Sequence, residues 1–271
     1  GLSLQGMSEI PLVVYLASRP GPATGVPTYS TQCDLDIAIK AGHGEFPRIV
    51  IAPGDPTESV EKTNEAFYLS EKFNTLSIIL SDKHLAESEF SSDRKPNKSL
   101  QVKVKRKIPG EGIVKASSYE HDEHGNTTED PEIAKKGAEH RIQKYENIKQ
   151  ECKNFQMIKI YGNPNAKNLI IGWGSTKTVI LDSLDAIDQS ITSNKGNYKF
   201  LQVIYMKPMS DEIEEHMKQA DNVILVENNS TSQLGRYIRE KTGIKIENKI
   251  LHYDSRPLKS DILKQQILDI K

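Results

Sequence analysis

From residue 168 onward, short apolar runs alternate with amphipathic helical patterns, and few folds accept that alternation. Residues 168–172 (NLIIG) have the length and composition of a buried strand. Ile180, Leu184, Ile187 and Ile191 follow at i, i+4, i+7 and i+11, which puts them on one helix face. Residues 201–206 read as the next strand. Ser210 then caps a helix that turns Ile213, Met217 and Ala220 inward. Residues 222–227 (NVILVE) are a third strand. Ser230 is placed to cap a helix with Leu234, Tyr237 and Ile238 inside and Gly243 as its stop. Residues 250–253 read as a last strand and 261–270 as a closing helix. Strand–helix–strand order requires parallel pairing, and about 110 residues is an ordinary domain size.

The start of the chain has the same grammar. Residues 10–17 (IPLVVYLA), 49–52 and 76–80 are continuous apolar runs, suited to a sheet covered on both faces. Between the last two lies a well-marked helix. Asp55 is its N-cap, Pro56 fits the first helical position, and Glu58 completes a capping box. Val60, Ala66, Phe67 and Phe73 are expected to face the sheet. From about residue 81 the pattern dissolves. Residues 91–107 are polar and basic, 110–131 read as loop, and 131 to about 152 as a charged helix. So long a connection is uncommon inside one domain, so it is expected to wrap a surface or link two domains. The resulting division is a first domain at 1–85, a connecting segment at 86–160 and a second domain at 161–271. Both domains are α/β and doubly wound.

Composition narrows the function classes. A hydrophobic share of 36% and a charged share of 27% permit a folded chain. A net charge of −1 gives nucleic acid no electrostatic footprint. No apolar run approaches the roughly 20 residues that cross a bilayer. Cys33 and Cys152 stand far apart and outside any CxxC, too few for a four-cysteine iron–sulfur cluster and without zinc-site spacing. They fit a reducing, cytoplasmic compartment.

Several residues carry candidate chemistry, each with two readings. Arg19 follows a buried strand and precedes Pro20, Gly21 and Pro22. At the carboxyl end of a strand it can grip a carboxylate through two parallel hydrogen bonds, or it can be a surface arginine at a helix end. Gly21, Thr24 and Gly25 form a loop whose backbone can approach a ligand closely, or a plain strand-to-helix turn. Ser175, Thr176 and Lys177, within residues 172–177 (GWGSTK), open a helix. They read either as an anion site or as a cap with a close glycine contact, and the order is not that of a P-loop. Asn228 and Asn229 occupy the matching edge two strands later, where capping by Ser230 is the simpler reading. His43 and Glu45 flank Gly44 in what reads as a turn. His121, Asp122, Glu123 and His124 suit a metal only if helical, and Gly125 and Asn126 favour a loop, so no metal site is assigned. The basic run at 102–107 (VKVKRK) lacks interleaved aromatics and reads as a solvated face or subunit contact.

Residues 6–28 (GMSEIPLVVYLASRPGPATGVPT) resemble the signature of the alpha subunits of 2-oxoacid:ferredoxin oxidoreductases. Gln32, Asp34, Leu35 and residues 43–54 (HGEFPRIVIAPG) continue the likeness. Residues 120–130 (EHDEHGNTTED), 172–177 (GWGSTK) and 226–236 (VENNSTSQLGR) extend it in order along nearly the whole chain. The resemblance implies a thiamine diphosphate enzyme that decarboxylates a 2-oxoacid, reduces ferredoxin and makes an acyl-coenzyme A. It implies part of a thiamine pyrimidine-binding domain first and a transketolase C-terminal-like domain last. It assigns Arg19 to the substrate carboxylate and sets Gly21, Thr24 and Gly25 beside the cofactor. Coenzyme A phosphates are one anion that Ser175, Thr176, Lys177, Asn228 and Asn229 would meet.

Departures from the family pattern matter as well. Pro20 replaces a glycine and removes a backbone donor, and Ala23 stands where serine is frequent. The family's Tyr-Pro-Ile-Thr-Pro segment and the glutamate that activates the aminopyrimidine are absent. So is the GDG…N signature for magnesium and diphosphate, which belongs to the beta subunit. The resemblance therefore implies a hetero-oligomer. Thiamine diphosphate is shared with a beta chain, and magnesium and iron–sulfur clusters are expected in that partner. It also implies a fragment or cleaved subunit, inactive alone, whose incomplete sheet has edges that need cover. Two other classes stay open: a non-catalytic assembly module, and a transketolase- or E1-type thiamine enzyme.

Overall fold

The computed structural model describes residues 1–104, 106–115, 117–190 and 196–270. Two strands, β2 (Arg48–Ile51) and β3 (Leu76–Asp82) in chain order, are buried along their whole length, as a strand covered on both faces must be. Upstream of them lie α1 (Leu2–Ser8), β1 (Leu12–Ser18) and α2 (Leu35–Lys40). The first sheet runs β1-β3-β2 in parallel and ends on β7 (Tyr205–Lys207), which is antiparallel to β2. At the other side β1 pairs only with β3 among the described residues. Leu12 and Tyr15 are 37% and 58% exposed there.

The second sheet has the order β4-β6-β5-β8-β9. Its members are β4 (Ile158–Gly162), β5 (Asn168–Trp173), β6 (Tyr198–Val203), β8 (Asn222–Glu227) and β9 (Asn248–Leu251). Only β4 is antiparallel. The helices are α6 (Thr176–Ser190), α7 (Glu212–Gln219), α8 (Gln233–Thr242) and α9 (Ser260–Asp269). Ile180, Leu184 and Ile187 are buried as their spacing requires, while Ile191 lies outside the described residues. Gly243 stops α8 in a left-handed conformation.

Several local expectations change. The single strand at 201–206 is two. The chain leaves the second sheet after Val203 and joins the first at Tyr205. Met157 carbonyl accepts from both Ile204 and Tyr205 amides at 3.0 Å, and Ile204 carbonyl accepts from Ala52 amide at 2.7 Å. One strand direction thus serves both sheets, which apolar periodicity alone cannot reveal. The cap of α8 is Ser232, not Ser230, and β4 had no distinct pattern. The α3 helix (Pro56–Phe73) begins as expected, with Glu58 amide donating to Asp55 Oδ1 at 2.7 Å. Its inner face differs. Val60 and Phe67 are 47% and 56% exposed, whereas Glu58, Lys62 and Glu65 are buried with Ala66 and Leu69. Lys62 binds both Glu65 oxygens, and Tyr205 hydroxyl donates to Glu65 at 2.6 Å. Polar residues can face inward because they satisfy one another.

A short α4 (Lys83–Ala86) follows β3. Within residues 86–160, α5 (Pro131–Cys152) buries Ile148 and Cys152 against Ile49, Ile51 and Leu69. Residues 120–128 form a turn in which Asp122 Oδ1 accepts from the His124 and Asn126 amides, both at 2.9 Å. Among the described residues no group of His, Cys, Asp and Glu is placed to hold a metal, and no helix is long and apolar enough to cross a membrane. Of the basic run at 102–107, Lys105 lies outside the described residues.

Candidate functional site

The parallel strands of both sheets deliver their carboxyl ends to a common seam, where the loops after β1, β2, β5 and β8 meet. The first loop follows β1. Ser18 Oγ donates to Asp34 Oδ2 at 2.7 Å and closes residues 19–34 into a clasp. Ser30 Oγ ties the loop to Asp82 at the end of β3, at 3.1 Å. Within the clasp, Val26 amide donates to Pro20 carbonyl. Gly25 has φ of +50°, and a Cβ there would lie 2.2 Å from Pro20 carbonyl oxygen, so only glycine makes this turn. Arg19 is exposed, and its Nη1 donates to Thr24 carbonyl. That bond aims the guanidinium and uses one of its five donors. Arg19, Gly21, Thr24 and Gly25 are therefore brought together on an open surface.

The same loop is fastened to the second sheet by Gln32, which is fully buried. Its amide donates to Asn228 carbonyl at 2.7 Å, and its side-chain oxygen accepts from Asn228 amide at 2.9 Å. Its Nε2 donates to Trp173 carbonyl at 2.7 Å, and its own carbonyl accepts from Asn229 Nδ2 at 3.2 Å. One glutamine thus pairs with the ends of β5 and β8 in place of a strand. Beneath it Glu227 is wholly buried. It accepts from Trp173 Nε1 at 3.1 Å, Asn229 Nδ2 at 3.0 Å and Leu234 amide at 2.9 Å. Burial raises the Glu227 carboxyl above its ordinary range, against the pull of these donors. Asn229 is thereby committed to the interface, while Asn228 Oδ1 is buried without a partner.

The second and third loops follow β2 and β5. Thr176 Oγ1 accepts from Trp173 amide and donates to Trp173 carbonyl, fixing the turn into α6. Lys177 points across the seam and is buried. Its Nζ sits 2.5 Å from both Asp55 Oδ2 and Glu58 Oε1. Glu58 Oε2 also accepts from Gly54 amide at 2.8 Å and Gln202 Nε2 at 2.7 Å, and Tyr161 hydroxyl donates to Gln202 at 3.0 Å. Gly54 admits no side chain, because a Cβ would lie 2.6 Å from Lys177 Cδ. Burial alone would lower Lys177, but the Glu58 and Asp55 carboxylates outweigh it and raise the ammonium. Asp55 is likewise lowered, burial being overcome by Lys177 and the Glu58 amide. Lys177 therefore spends its charge on two carboxylates 119 and 122 residues away in sequence, and of the trio Ser175 alone is half-exposed. Gln32, Trp173 and Glu227 lie within the motifs quoted for the family likeness, but sequence reasoning gave them no role. Asp55 had been read as the helix cap, which it is; Glu58, read as closing a capping box, accepts instead from the Gly54 amide one residue earlier, and both carboxylates also hold the lysine. His43 sits in a turn with Ser3 Oγ 3.4 Å from its Nδ1.

Residues 1–157 match the family model described as "Pyruvate flavodoxin/ferredoxin oxidoreductase, thiamine diP-bdg". The 2-oxoacid:ferredoxin oxidoreductase 1 subunit alpha of Sulfurisphaera tokodaii is 34% identical over 295 aligned positions, covering 100% of this chain and 46% of its own length. The 2-oxoglutarate synthase subunit KorA of Archaeoglobus fulgidus is 27% identical and is aligned over 89% of this chain and 66% of its own. The chain spans about half the length of the first curated relatives it matches. Its fold is that of the 2-oxoglutarate:ferredoxin oxidoreductase from Magnetococcus marinus, solved with 2-oxoglutarate, coenzyme A and succinyl-CoA bound. The TM-score is 0.81 at 24% identity, over 99% of this chain and 50% of the other. With more than half of its length under one family model, and that half folded around the clasp and Gln32, the chain belongs to the thiamine diphosphate-binding pyruvate flavodoxin/ferredoxin oxidoreductase family.

Proposed function

We propose that this chain is the alpha-subunit part of a 2-oxoacid:ferredoxin oxidoreductase, contributing one side of a thiamine diphosphate site. The observation that carries the reading is Arg19. It is an exposed guanidinium at the carboxyl end of β1, aimed by Thr24 carbonyl and held on a loop that Gln32 locks to the second sheet. Most of its donors are free, and a 2-oxoacid carboxylate is the planar, bidentate acceptor that matches them. The close turn at Gly25 keeps bulk away from the loop, which suits a cofactor ring beside it.

Thiamine diphosphate, when bound, supplies the electron sink that lets a 2-oxoacid lose carbon dioxide. The part of this chain is binding and orientation. Arg19 holds the substrate carboxylate, and the clasp at Ser18 and Asp34 keeps Arg19 from swinging away. The donor set here is one guanidinium and backbone, without clustered carboxylates, so it fits the pyrimidine and substrate side of the site. Magnesium, the diphosphate and iron–sulfur clusters are assigned to a beta chain, with ferredoxin as the electron acceptor and coenzyme A as the acyl acceptor. Residues 1–85 are then the pyrimidine-side domain, 86–160 the connection and 161–271 the carboxyl-terminal domain, in a cytoplasmic hetero-oligomer.

The test is 2-oxoacid-dependent ferredoxin reduction by the complex of this subunit and its beta chain, with and without thiamine diphosphate and coenzyme A. Activity that needs both chains, the cofactor and coenzyme A is expected. An intact complex that binds thiamine diphosphate yet reduces no ferredoxin would point to a transketolase- or E1-type enzyme. One that binds no cofactor would point to an assembly module.

A further inference from the structure

A second charged site lies at the opposite, amino-terminal end of the first sheet, away from the seam. Arg48 opens β2 and Lys207 closes β7. Val50 is registered against Lys207, so Arg48 and Lys207 are diagonal neighbours on one face, their Cβ atoms roughly 7 Å apart. Both line a cavity of about 590 Å³ that also holds Phe46 and Tyr145. Such a volume is in the range that takes a small molecule.

Among the described residues neither cation has a carboxylate within ion-pair distance, although Glu240 acts on Lys207 from farther away. Arg48 is 3% exposed, its Nε is buried without an acceptor, and Nη1 reaches only Ala38 carbonyl at 3.4 Å. Its guanidinium lies 4.4 Å from the Phe46 ring centre. Among the described residues Lys207 makes no ion pair, and its Nζ is 5.8 Å from the Tyr145 ring centre. Burial, then Arg48, pulls the Lys207 ammonium down to about 8. The other charges nearby are engaged or exposed. Lys40 holds Glu240 at 2.8 Å, Arg141 holds Glu120 at 2.6 Å, and Glu146 is 3.6 Å from Lys149. Glu45 lies exposed on the cavity lining. By contrast Lys62 and Lys177, also buried, each rest on carboxylates. A buried cation without a counter-charge is costly, so an anion that arrives from outside removes a standing penalty.

We propose that this pocket binds a phosphate monoester on a flat apolar body, with the phosphate between Arg48 and Lys207 and the body against Phe46 and Tyr145. A phosphate monoester carries close to two negative charges near neutral pH and three acceptor oxygens, which answers two cations on separate strands better than a carboxylate does. The site is independent of the thiamine reading, since none of its residues reaches the seam.

Phenyl phosphate is the probe, titrated by calorimetry into the native complex that contains this chain. Saturable binding is expected, weakened about tenfold or more in Arg48→Gln and in Lys207→Met. Phenol should not bind, and inorganic phosphate and benzoate should bind more weakly. Lys207 is half-buried and its side chain makes no hydrogen bond among the described residues, so Lys207→Met reads the site even if Arg48→Gln fails to fold. No saturable binding, equal binding in Lys207→Met, or equal affinity for benzoate or for inorganic phosphate would overturn the proposal.

Discussion

Arg19 and Lys177 occupy the same topological place, a basic residue just past the carboxyl end of a parallel strand, β1 in one sheet and β5 in the other. Their surroundings set them apart. Arg19 is exposed, touches only a carbonyl and keeps its charge available. Lys177 is buried and shared between Asp55 and Glu58. Position in an α/β sheet brings a residue to the edge where ligands bind, but its charged neighbours decide whether it is left free to bind one. By that criterion Arg19 is the one of the two left free to take a ligand, and Lys177 joins the two sheets.

The comparison breaks most sharply at Lys177. Lys177→Met leaves buried Glu58 without a cation and Asp55 with Arg94 alone, and should cost about 3–5 kcal/mol, read as a fall in the denaturation midpoint. Adding Glu58→Gln to that variant should return part of the loss, because one stranded charge is removed. A double variant as unstable as the single one would deny the coupling. Gly25→Ala comes next. It forces a side chain into a positive-φ turn against Pro20 carbonyl, a cost of about 1–3 kcal/mol that denaturation of the complex would measure.

The pH dependence follows with a smaller effect. Asp55 is lowered from 3.8, so its contribution is complete above that pH and is lost as the pH falls through the lowered value. Lys177 is raised from 10.5, so its contribution is complete below that pH and is lost as the pH rises through the raised value. Between these limits the pair should hold stability flat, and on each flank the wild type should lose more stability than Lys177→Met does. Superimposable pH profiles for the two proteins would deny it. The smallest stability effect belongs to Arg19→Ala, about 0.5 kcal/mol or less, since the side chain is exposed and holds one carbonyl.

Much of this contrast was legible beforehand and part was not. The strand at 76–80, the capping box at Asp55 and the inner face of α8 are local patterns, and local patterns survive in sequence. Arg19 was visible because a strand, a basic residue and a Gly/Pro loop are adjacent in the chain. The fate of Lys177 was not, because its carboxylates stand 119 and 122 residues earlier and had an adequate local explanation as caps. Gln32 was visible as part of the family likeness, but its role was hidden for the same reason. It replaces strand pairing across about 141 and 196 residues of chain, and nothing in its neighbours announces that. The inward polar face of α3 escaped because hydrophobic periodicity assumes an apolar interior, whereas Lys62, Glu65 and Tyr205 satisfy each other there. The split of 201–206 between two sheets leaves no trace in a run that is apolar apart from Gln202.

The most direct measurement compares kcat/KM for a 2-oxoacid in Arg19→Ala and wild-type complexes, alongside their unfolding midpoints. A loss of about 100-fold or more, at an unchanged midpoint and partly recovered by Arg19→Lys, is the expected result. Unchanged kcat/KM, or a loss that merely tracks unfolding, would contradict the carboxylate-binding role of Arg19.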